Sequence, residues 1–441
     1  MDLPTQFRQH LRTLDLPEGG ALVAVSGGPD SVVLLDLLQR TADLHGLTLV
    51  VAHFDHGISP ASGEVAASVE AFAASRGLAF ECARGNLGQR AGETVARAAR
   101  YAWLESVRSR RGAAVVFTAH HADDQIETIL MRLLGGSGPA GLAGMASVSG
   151  TLVRPLLPFR REALVRHARD AGLPVWLDPA NRDPRHLRSW VRCELLPELR
   201  TRLPEVDAAL ARVGSHASRD RAAWDAVLEL LPGLEPRSED GGISVAGGSL
   251  AGYDSALAET VLMAAARRVG CRLGPVRARR LMELIRRGGS GALVPLGGGW
   301  RAELAFGRLR LLRTGGDIVP PEPWMLEGES GEGSWGGWHI RWARETAPEL
   351  QPRASLSAWF APEALAIRRW LPGEKVRPLA GVGRRLIVRC FQDARVPRTK
   401  RGEWPVLARQ DDVVWIPGVC RSDALLPARG TEAIRVDAEY A

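Results

Sequence analysis

Four short β-like runs, Leu22–Val25, Leu47–His53, Leu78–Ala83 and Ala114–Thr118, punctuate the first 120 residues of the chain, each beside sequence of helical period. Strands alternating with helices build a parallel sheet with helices on both faces, so an α/β, doubly wound parallel sheet is expected at the amino-terminal end. Ligands in that architecture bind beyond the carboxyl ends of the strands. The segments to inspect are therefore those beside the run ends: SGGPDS, HFDHG and AHHADDQ.

The first of them lies in AVSGGPDSVVLL, residues 24–35. A helix entered through a glycine-rich bend presents free N–H groups and the positive end of its dipole, which suits an anion. Gly27 and Gly28 keep side chains away from an approaching phosphate, Ser26 and Ser31 offer hydroxyl donors, and Asp30 is placed to hold a magnesium ion against phosphates. A phosphate loop of the G-x-x-x-x-G-K-[ST] type needs a lysine. The first 374 residues contain none, which excludes a P-loop kinase or GTPase. Two glycines alone are equally compatible with a plain strand-to-helix turn.

HFDHG, residues 53–57, closes the second run, where an adenosine would lie in this topology; the alternative is that His53 and His56 are ordinary loop histidines. In TAHHADDQIET, a helix opening after Thr118 would put His120, Asp124 and Glu127 on one face, with Ile126, Ile129, Leu130 and Leu133 mostly on the other. Two histidines and two aspartates in five residues invite a transition metal, but no second cluster with ligand spacing accompanies them, and no transition metal is expected. An acidic face at strand ends suits a cationic amine or magnesium better. Arg97, Arg100 and Tyr101 fall on a helix before the fourth run, and Arg188 and Arg192 lie in HLRSWVRCELLPEL. Arginine stabilises charge on a transferring nucleotidyl group, although any one of these residues could equally face solvent.

A chain of 441 residues exceeds one ordinary core, so several domains are expected. Residues 1–200 hold the alternating pattern. Residues 201–313 are mainly of helical spacing, closing on the hairpin-like GGSGALVPLGGGWRAELAFGRLRLLR; 314–352, rich in Gly, Pro, Glu and Trp, reads as a linker; 353–441 reads as a small basic α+β domain. The last of these carries 16 Lys+Arg against 10 Asp+Glu, so +6 of the net +7 sits there. Such a balance suits a polyanionic partner. Lysine occurs only at Lys375 and Lys400, so nearly all positive charge is guanidinium, which matches phosphate bidentately. The five cysteines include no C-x-x-C pair, against both a disulfide framework and a zinc knuckle. No run of eighteen apolar residues occurs and the start lacks a signal-peptide layout, so a cytoplasmic protein without a membrane partner is expected.

The string S-G-G-x-D-S after an apolar strand resembles the pyrophosphate loop of the PP-loop ATPases, or N-type ATP pyrophosphatases, which cleave ATP between the α- and β-phosphates and adenylate a substrate oxygen. SGGPDS, HFDHG, ARAARY, TAHHADDQIET, GGSGPAGLAGM, RPLLPFRREAL, LDPANRD and RSWVRCELLPEL also occur in the order seen in bacterial tRNA(Ile)-lysidine synthetases. WLPGEKVRPLAGVGRRLIVRCFQDARVPRTKRGEWPVL is similar to that family's terminal domain. The likeness is strongest over 20–200 and 368–420 and thin across 205–350. It implies that ATP adenylates O2 of the wobble cytidine in a tRNA(Ile) with the CAU anticodon, and that free L-lysine then attacks C2 and expels AMP. By the same resemblance, Ser26, Gly27, Gly28, Pro29, Asp30, Ser31 and His53 would hold ATP, with Asp30 beside Mg2+. Asp124, Glu127 and His121 would hold the lysine, and Arg100 and Arg192 would stabilise the adenylate; the catalytic set is then Asp30, Arg100, Asp124, Glu127 and Arg192.

Two positions depart from the family pattern, Ala180 where serine is usual and Ser189 where asparagine is usual. Trp370, Trp404 and Trp415 would serve the basic domain either as stacking platforms or as core. The working unit is open between one chain and a homodimer. Two rivals remain beside the lysidine reading: a PP-loop tRNA thiolase, which the lack of paired cysteines disfavours, and a non-catalytic tRNA-binding protein, which the intact motifs disfavour.

Overall fold

The computed structural model describes residues 1–57, 62–85, 93–176, 187–231, 233–314, 321–349 and 353–440. The chain divides into two compact units, Met1–Ala223 and Trp224–Ala441. The first therefore runs past the boundary at residue 200 that the sequence suggests.

The first unit is built on a six-stranded sheet in the order β3-β2-β1-β4-β6-β5. Its strands are β1 (Gly20–Ala24), β2 (Thr48–Asp55), β3 (Ala79–Arg84), β4 (Ala113–Phe117), β5 (Val148–Ser149) and β6 (Leu152–Val153). The four sequence-predicted runs fall on β1 to β4. These are parallel, β6 runs parallel to β4, and only the edge strand β5 is antiparallel. From β1 the chain moves outward through β2 to β3, then returns to the other side of β1 as β4. The order thus reverses between β1 and β4, the switch point at which sheets of this kind form their ligand crevice, beyond the carboxyl ends of the strands.

Alternation along β1 assigns the two faces. Ala21 and Val23 pack with the helix Pro29–Arg40, whose Val32, Val33, Leu34, Leu35, Leu37 and Leu38 are all buried, together with Phe7, Leu11 and Leu164. Leu22 points the other way, onto Leu104 and Val107 of the helix Glu93–Arg110. Each such leucine, fully buried, contributes about 1.5–3 kcal/mol relative to exposure. Because the helix Pro29–Arg40 is buried on nearly every side, its one mid-helix carboxylate, Asp36, needs partners. It has Arg40 Nε at 2.7 Å, His167 Nε2 at 2.9 Å and Arg76 Nη1 at 3.1 Å.

Further along the unit, the helix Leu187–Trp190 passes into a π-helical turn, Val191–Leu195, and then the helix Leu196–Arg202. Pro197 explains the irregularity: it has no N–H to donate one turn back, and its ring would crowd that carbonyl. The wider turn absorbs the clash, with Leu196 N–H bonded to the Val191 carbonyl five residues earlier.

In the second unit the middle region is helical as expected, with Ser255–Arg268 and Pro275–Arg287, but the hairpin reading grows to a five-stranded antiparallel sheet. That sheet includes Gly242–Ala246, Ala292–Gly297, Trp300–Ala305 and Arg308–Arg313, and the helices pack on it through Leu262, Ala265, Leu281 and Met282. The segment read as a linker is different in kind. Ser330–Trp335 and Trp338–Thr346 form a hairpin that pairs with Glu432–Tyr440 in a four-stranded sheet. Its glycines are packing residues: a Cβ at Gly331 would run into the Trp342 ring, and one at Gly333 would meet the Trp324 ring at 2.6 Å. Glycine there makes room for indoles, which is why a Gly/Trp-rich stretch reads as loop and folds as strand. Trp415 is fully buried, and Trp370 and Trp404 pack around Phe391, so these three tryptophans belong to cores and are not stacking platforms. No helix among the described residues is long and apolar enough to cross a membrane.

Candidate functional site

The crevice between β1 and β4 collects the turns that follow both strands. After β1, Gly27 adopts φ +85°, and a Cβ there would lie 2.7 Å from Val65 Cγ1, so both backbone and space require glycine. Its carbonyl accepts the Trp176 N–H at 2.8 Å. Ser31 ties the loop to its helix: its hydroxyl donates to the Gly28 carbonyl at 2.9 Å and accepts the Ser26 N–H at 3.1 Å. Pro29 opens the helix without an N–H to offer, Gly28 is its N-cap with no side-chain cap in place, and the Ser31 N–H already donates to the Gly28 carbonyl at 3.1 Å, so among the described residues the N–H of this first turn left for a ligand is that of Asp30. Asp30, in the first turn, has a buried Oδ1 with no hydrogen-bond partner. A carboxylate oxygen left bare beside a phosphate-type turn fits a hard cation such as magnesium. Among the described residues no group of three or more His, Cys, Asp or Glu side chains is disposed to hold a metal ion.

On β2, His53 is buried, and its Nδ1 donates to the Val25 carbonyl at 2.8 Å, which leaves Nε2 as an acceptor. Burial pushes its pKa down, so it is neutral at physiological pH. Phe54 packs on Trp103 and His56, and His56 Nδ1 is buried without a partner. Asp55 closes the bend after β2 by accepting the Gly57 N–H at 2.7 Å.

After β4 the chain reaches the helix Ala122–Leu134, capped by His121. His121 Nδ1 accepts the Asp124 N–H at 3.3 Å while Asp124 Oδ2 accepts the His121 N–H at 3.1 Å, a reciprocal box that fixes both side chains. The same histidine places Nε2 at 3.6 Å from Asp30 Oδ2 and 3.4 Å from Asp124 Oδ2, so it joins the turn after β1 to the acidic helix after β4. Burial works against charging this ring, but Asp30, Asp124 and Asp123 outweigh it and raise the pKa. His120 does not share the helix face as expected from spacing. It precedes the cap, with Nδ1 3.0 Å from Thr118 Oγ1, because the helix begins two residues later than the acidic pattern suggests. Leu133, read as core, is half exposed.

Asp124 and Glu127 are both buried, and both are already paired. Glu127 accepts from Arg192 Nε at 2.6 Å, Arg188 Nε at 2.8 Å and Arg192 Nη2 at 2.9 Å; Asp124 Oδ1 accepts from Arg188 Nη2 at 2.9 Å and Arg192 Nη2 at 3.2 Å. Burial opposes the charge on Arg192, but Glu127 and Asp124 hold its pKa above the ordinary value. The two arginines are delivered by packing: Ile126, Ile129 and Leu130 of the acidic helix meet Val191, the first residue of the π turn, and Leu196, which directly follows it. Arg188, which the sequence left open between charge stabilisation and a solvent-facing position, thus packs into this cluster. Asp123 turns away, to Arg160 at 2.8 Å and the Arg161 N–H at 2.8 Å.

Arg100 stands apart from this quartet, half-buried on the helix Glu93–Arg110 with its Nε unpartnered and its pKa lowered by burial. Ser189 lies in the helix Leu187–Trp190; Ala180 lies outside the described residues. The crevice therefore offers a phosphate-type turn, one bare carboxylate oxygen, a buried carboxylate pair and several guanidiniums. That set can bind a nucleoside triphosphate and hold a cation beside it.

Residues 3–199 match the PP-loop domain family, and residues 365–438 match the TilS substrate C-terminal domain. Over nearly full length the chain is similar to curated tRNA(Ile)-lysidine synthases. That of Symbiobacterium thermophilum is 32% identical, covering 99% of this chain and 98% of its own. That of Alkalilimnicola ehrlichii is 33% identical over 94% and 92%, and that of an Azoarcus species 34% over 98% and 95%.

Proposed function

Since the chain belongs to the tRNA(Ile)-lysidine synthase family, whose members use ATP to modify tRNA, we propose that it joins free L-lysine to C2 of the wobble cytidine in a tRNA(Ile) with the CAU anticodon. ATP adenylates the cytidine O2 and diphosphate leaves; the lysine ε-amine then attacks C2 and AMP departs. The observation that carries this reading is the span of His121, which touches Asp30 on the nucleotide turn and Asp124 on the acidic helix at once. A nucleotide and an amine bound at those two places would be neighbours.

Each residue takes a role consistent with its surroundings. The free N–H groups of the turn from Ser26 to Ser31 receive the phosphates that leave as diphosphate, and His53 lies on the adenosine side. A magnesium ion, when bound, would be held by the bare Oδ1 of Asp30 and would neutralise charge on the departing diphosphate. Asp124 and Glu127 form the site for the lysine ammonium, and His121 orients them. In the resting arrangement Arg188 and Arg192 fill that site, so lysine enters by replacing guanidinium with ammonium at the same carboxylates. Arg192, released, joins Arg100 in stabilising the negative charge of the adenylate. The ammonium must shed a proton before it attacks, and the carboxylate pair is the acceptor at hand. The basic C-terminal region grips the polyanionic partner.

The test is incorporation of labelled lysine. The protein, ATP and a tRNA(Ile) transcript with the CAU anticodon should give label in the RNA and equimolar AMP. No label in the RNA, while an established synthetase succeeds in parallel, would defeat the reading.

A further inference from the structure

Near the carboxyl ends of β4 and β6, three arginines have no carboxylate partner among the described residues. Arg97 and Arg100 lie on the helix Glu93–Arg110, and Arg154 directly follows β6. Among the described residues none of the three forms an ion pair with a carboxylate, in contrast to Arg188 and Arg192 close by. They gather around one phenol. Arg97 Nη2 donates to Tyr101 Oη at 3.3 Å, and the guanidinium carbons of Arg97 and Arg100 stand 5.0 and 5.2 Å from the ring centroid. Arg154 is 8% exposed, donates through Nη1 to the Ala146 carbonyl at 2.9 Å, and has a buried Nε with no partner, as does Arg100.

The cluster affects its neighbours as an uncompensated positive field would. Burial, followed by the charges of Arg97, Arg154, Arg100 and Arg188, pushes His120 down to about 2. That ring is neutral at any working pH and adds no further cation. Burial lowers the pKa of Arg100 and Arg154 as well, with Arg97 adding to the effect. Guanidiniums left buried and unpaired are costly unless an anion completes them. Planar forks with free N–H groups match phosphate oxygens bidentately.

Position decides which phosphate. On the proposed reading adenosine lies over β2 and the nucleotide phosphates over the turn after β1. Arg154 follows β6, beyond β4, on the side of β1 away from β2. We propose that Arg97 and Arg154, with Tyr101, bind a backbone phosphodiester of the substrate RNA next to the reacting nucleotide, so that the base is held splayed into the crevice. The inference rests on the tRNA-modification reading above. A base removed from its stack needs its backbone fixed on at least one side, and the acidic pair near the crevice offers an RNA backbone nothing.

The test uses the full chain with Arg97→Gln and Arg154→Gln. Arg97 is half-buried, so its replacement leaves no cavity, and thermal unfolding of each variant identifies any loss that is only structural. The affinity of tRNA(Ile) with the CAU anticodon is measured against salt, and that of ATP separately without RNA. Arg97→Gln should weaken RNA binding about tenfold and lower the salt slope by about 1, with ATP affinity unchanged. A set of tRNAs carrying one methylphosphonate linkage each, near the wobble position, then locates the contact. One linkage should weaken wild-type binding yet have no further effect on Arg97→Gln. Equal RNA affinity and slope for wild type and a folded variant would overturn the site, as would a loss confined to ATP, which would give these arginines to the nucleotide. A wild-type protein that fails to bind the tRNA at all would overturn the proposed function with it.

Discussion

Two carboxylate–arginine networks are buried in the first unit, and they differ in where their partners come from. Asp36 is reached by Arg40 from its own helix, by Arg76 just beyond the helix Ser62–Ser75, and by His167 from the helix Arg161–Asp170. Three elements converge on a side chain with no exposed surface, so none can leave without the others. Asp124 and Glu127 are also fully hydrogen-bonded, but both arginines arrive on one segment that carries a π turn. A shift of that single segment would therefore release both arginines at once. On the proposed reading the same chemistry therefore makes a rivet in one place and an exchangeable site in the other, with topology and not pair strength setting the difference.

The largest expected effect tests the exchangeable network. Glu127→Gln keeps shape and removes the charge that Arg188 and Arg192 use and that, on the proposed reading, the incoming lysine ammonium requires; lysine transfer should fall by about 10^3-fold, with a stability loss smaller than at Asp36 because the two arginines ride on one segment and can turn to solvent together. If stability falls in proportion to activity, Glu127 is a rivet too and the contrast fails. Next comes Asp36→Asn, which leaves Arg40, Arg76 and His167 facing a neutral group. Breaking a buried pair from one side costs about 3–5 kcal/mol, so denaturant unfolding should shift by that order while turnover per folded molecule stays constant. The variant also has a pH signature. Burial raises the Asp36 pKa, but His167, Arg40 and Arg76 outweigh it and hold it below the ordinary carboxylate value. Its stabilisation is complete above the unfolded pKa of about 3.9 and is lost as pH falls through the lower folded value. Acid unfolding of wild type should steepen below about pH 4, and Asp36→Asn should lack that component.

What the sequence disclosed followed the same division. The four strands and the turn after β1 were legible because each rests on local pattern: apolar runs, two glycines, and one aspartate in the first turn. Asp124 and Glu127 were legible as an acidic face. That Arg188 and Arg192, themselves singled out in the sequence, pair with these carboxylates was not legible, since they lie more than sixty residues away and reach them only through packing across the π turn. Arg154 was hidden for a similar reason: what marks it is a burial without a carboxylate partner among the described residues, which no local pattern displays. The stretch around Gly331 and Gly333 misled because glycine content signals a turn unless a distant indole is known to lie over it.

The smallest expected effect concerns what braces the exchangeable network from behind. Gly144 has φ +66° and ψ −149°, a backbone region essentially restricted to glycine, and a Cβ there would lie 2.6 Å from Gln125 Oε1. Gln125 follows Asp124 directly and clasps the neighbouring residue in both directions: its Nε2 donates to the Met145 carbonyl at 2.8 Å, and its Oε1 accepts the Met145 N–H at 2.7 Å. Arg132 Nη1 donates to the carbonyls of Gly141 and Gly144, so the loop is stitched along the acidic helix at two levels. Gly144→Ala should cost about 1–3 kcal/mol and loosen the clasp, with the helix displaced at the turn that carries Asp124. If the carboxylates are the lysine site, KM for lysine should rise several-fold while ATP affinity holds, because the turn after β1 is untouched. A change in ATP affinity of the same size would mean that strain spreads through His121 to Asp30, and the two halves of the crevice would then behave as one rigid body.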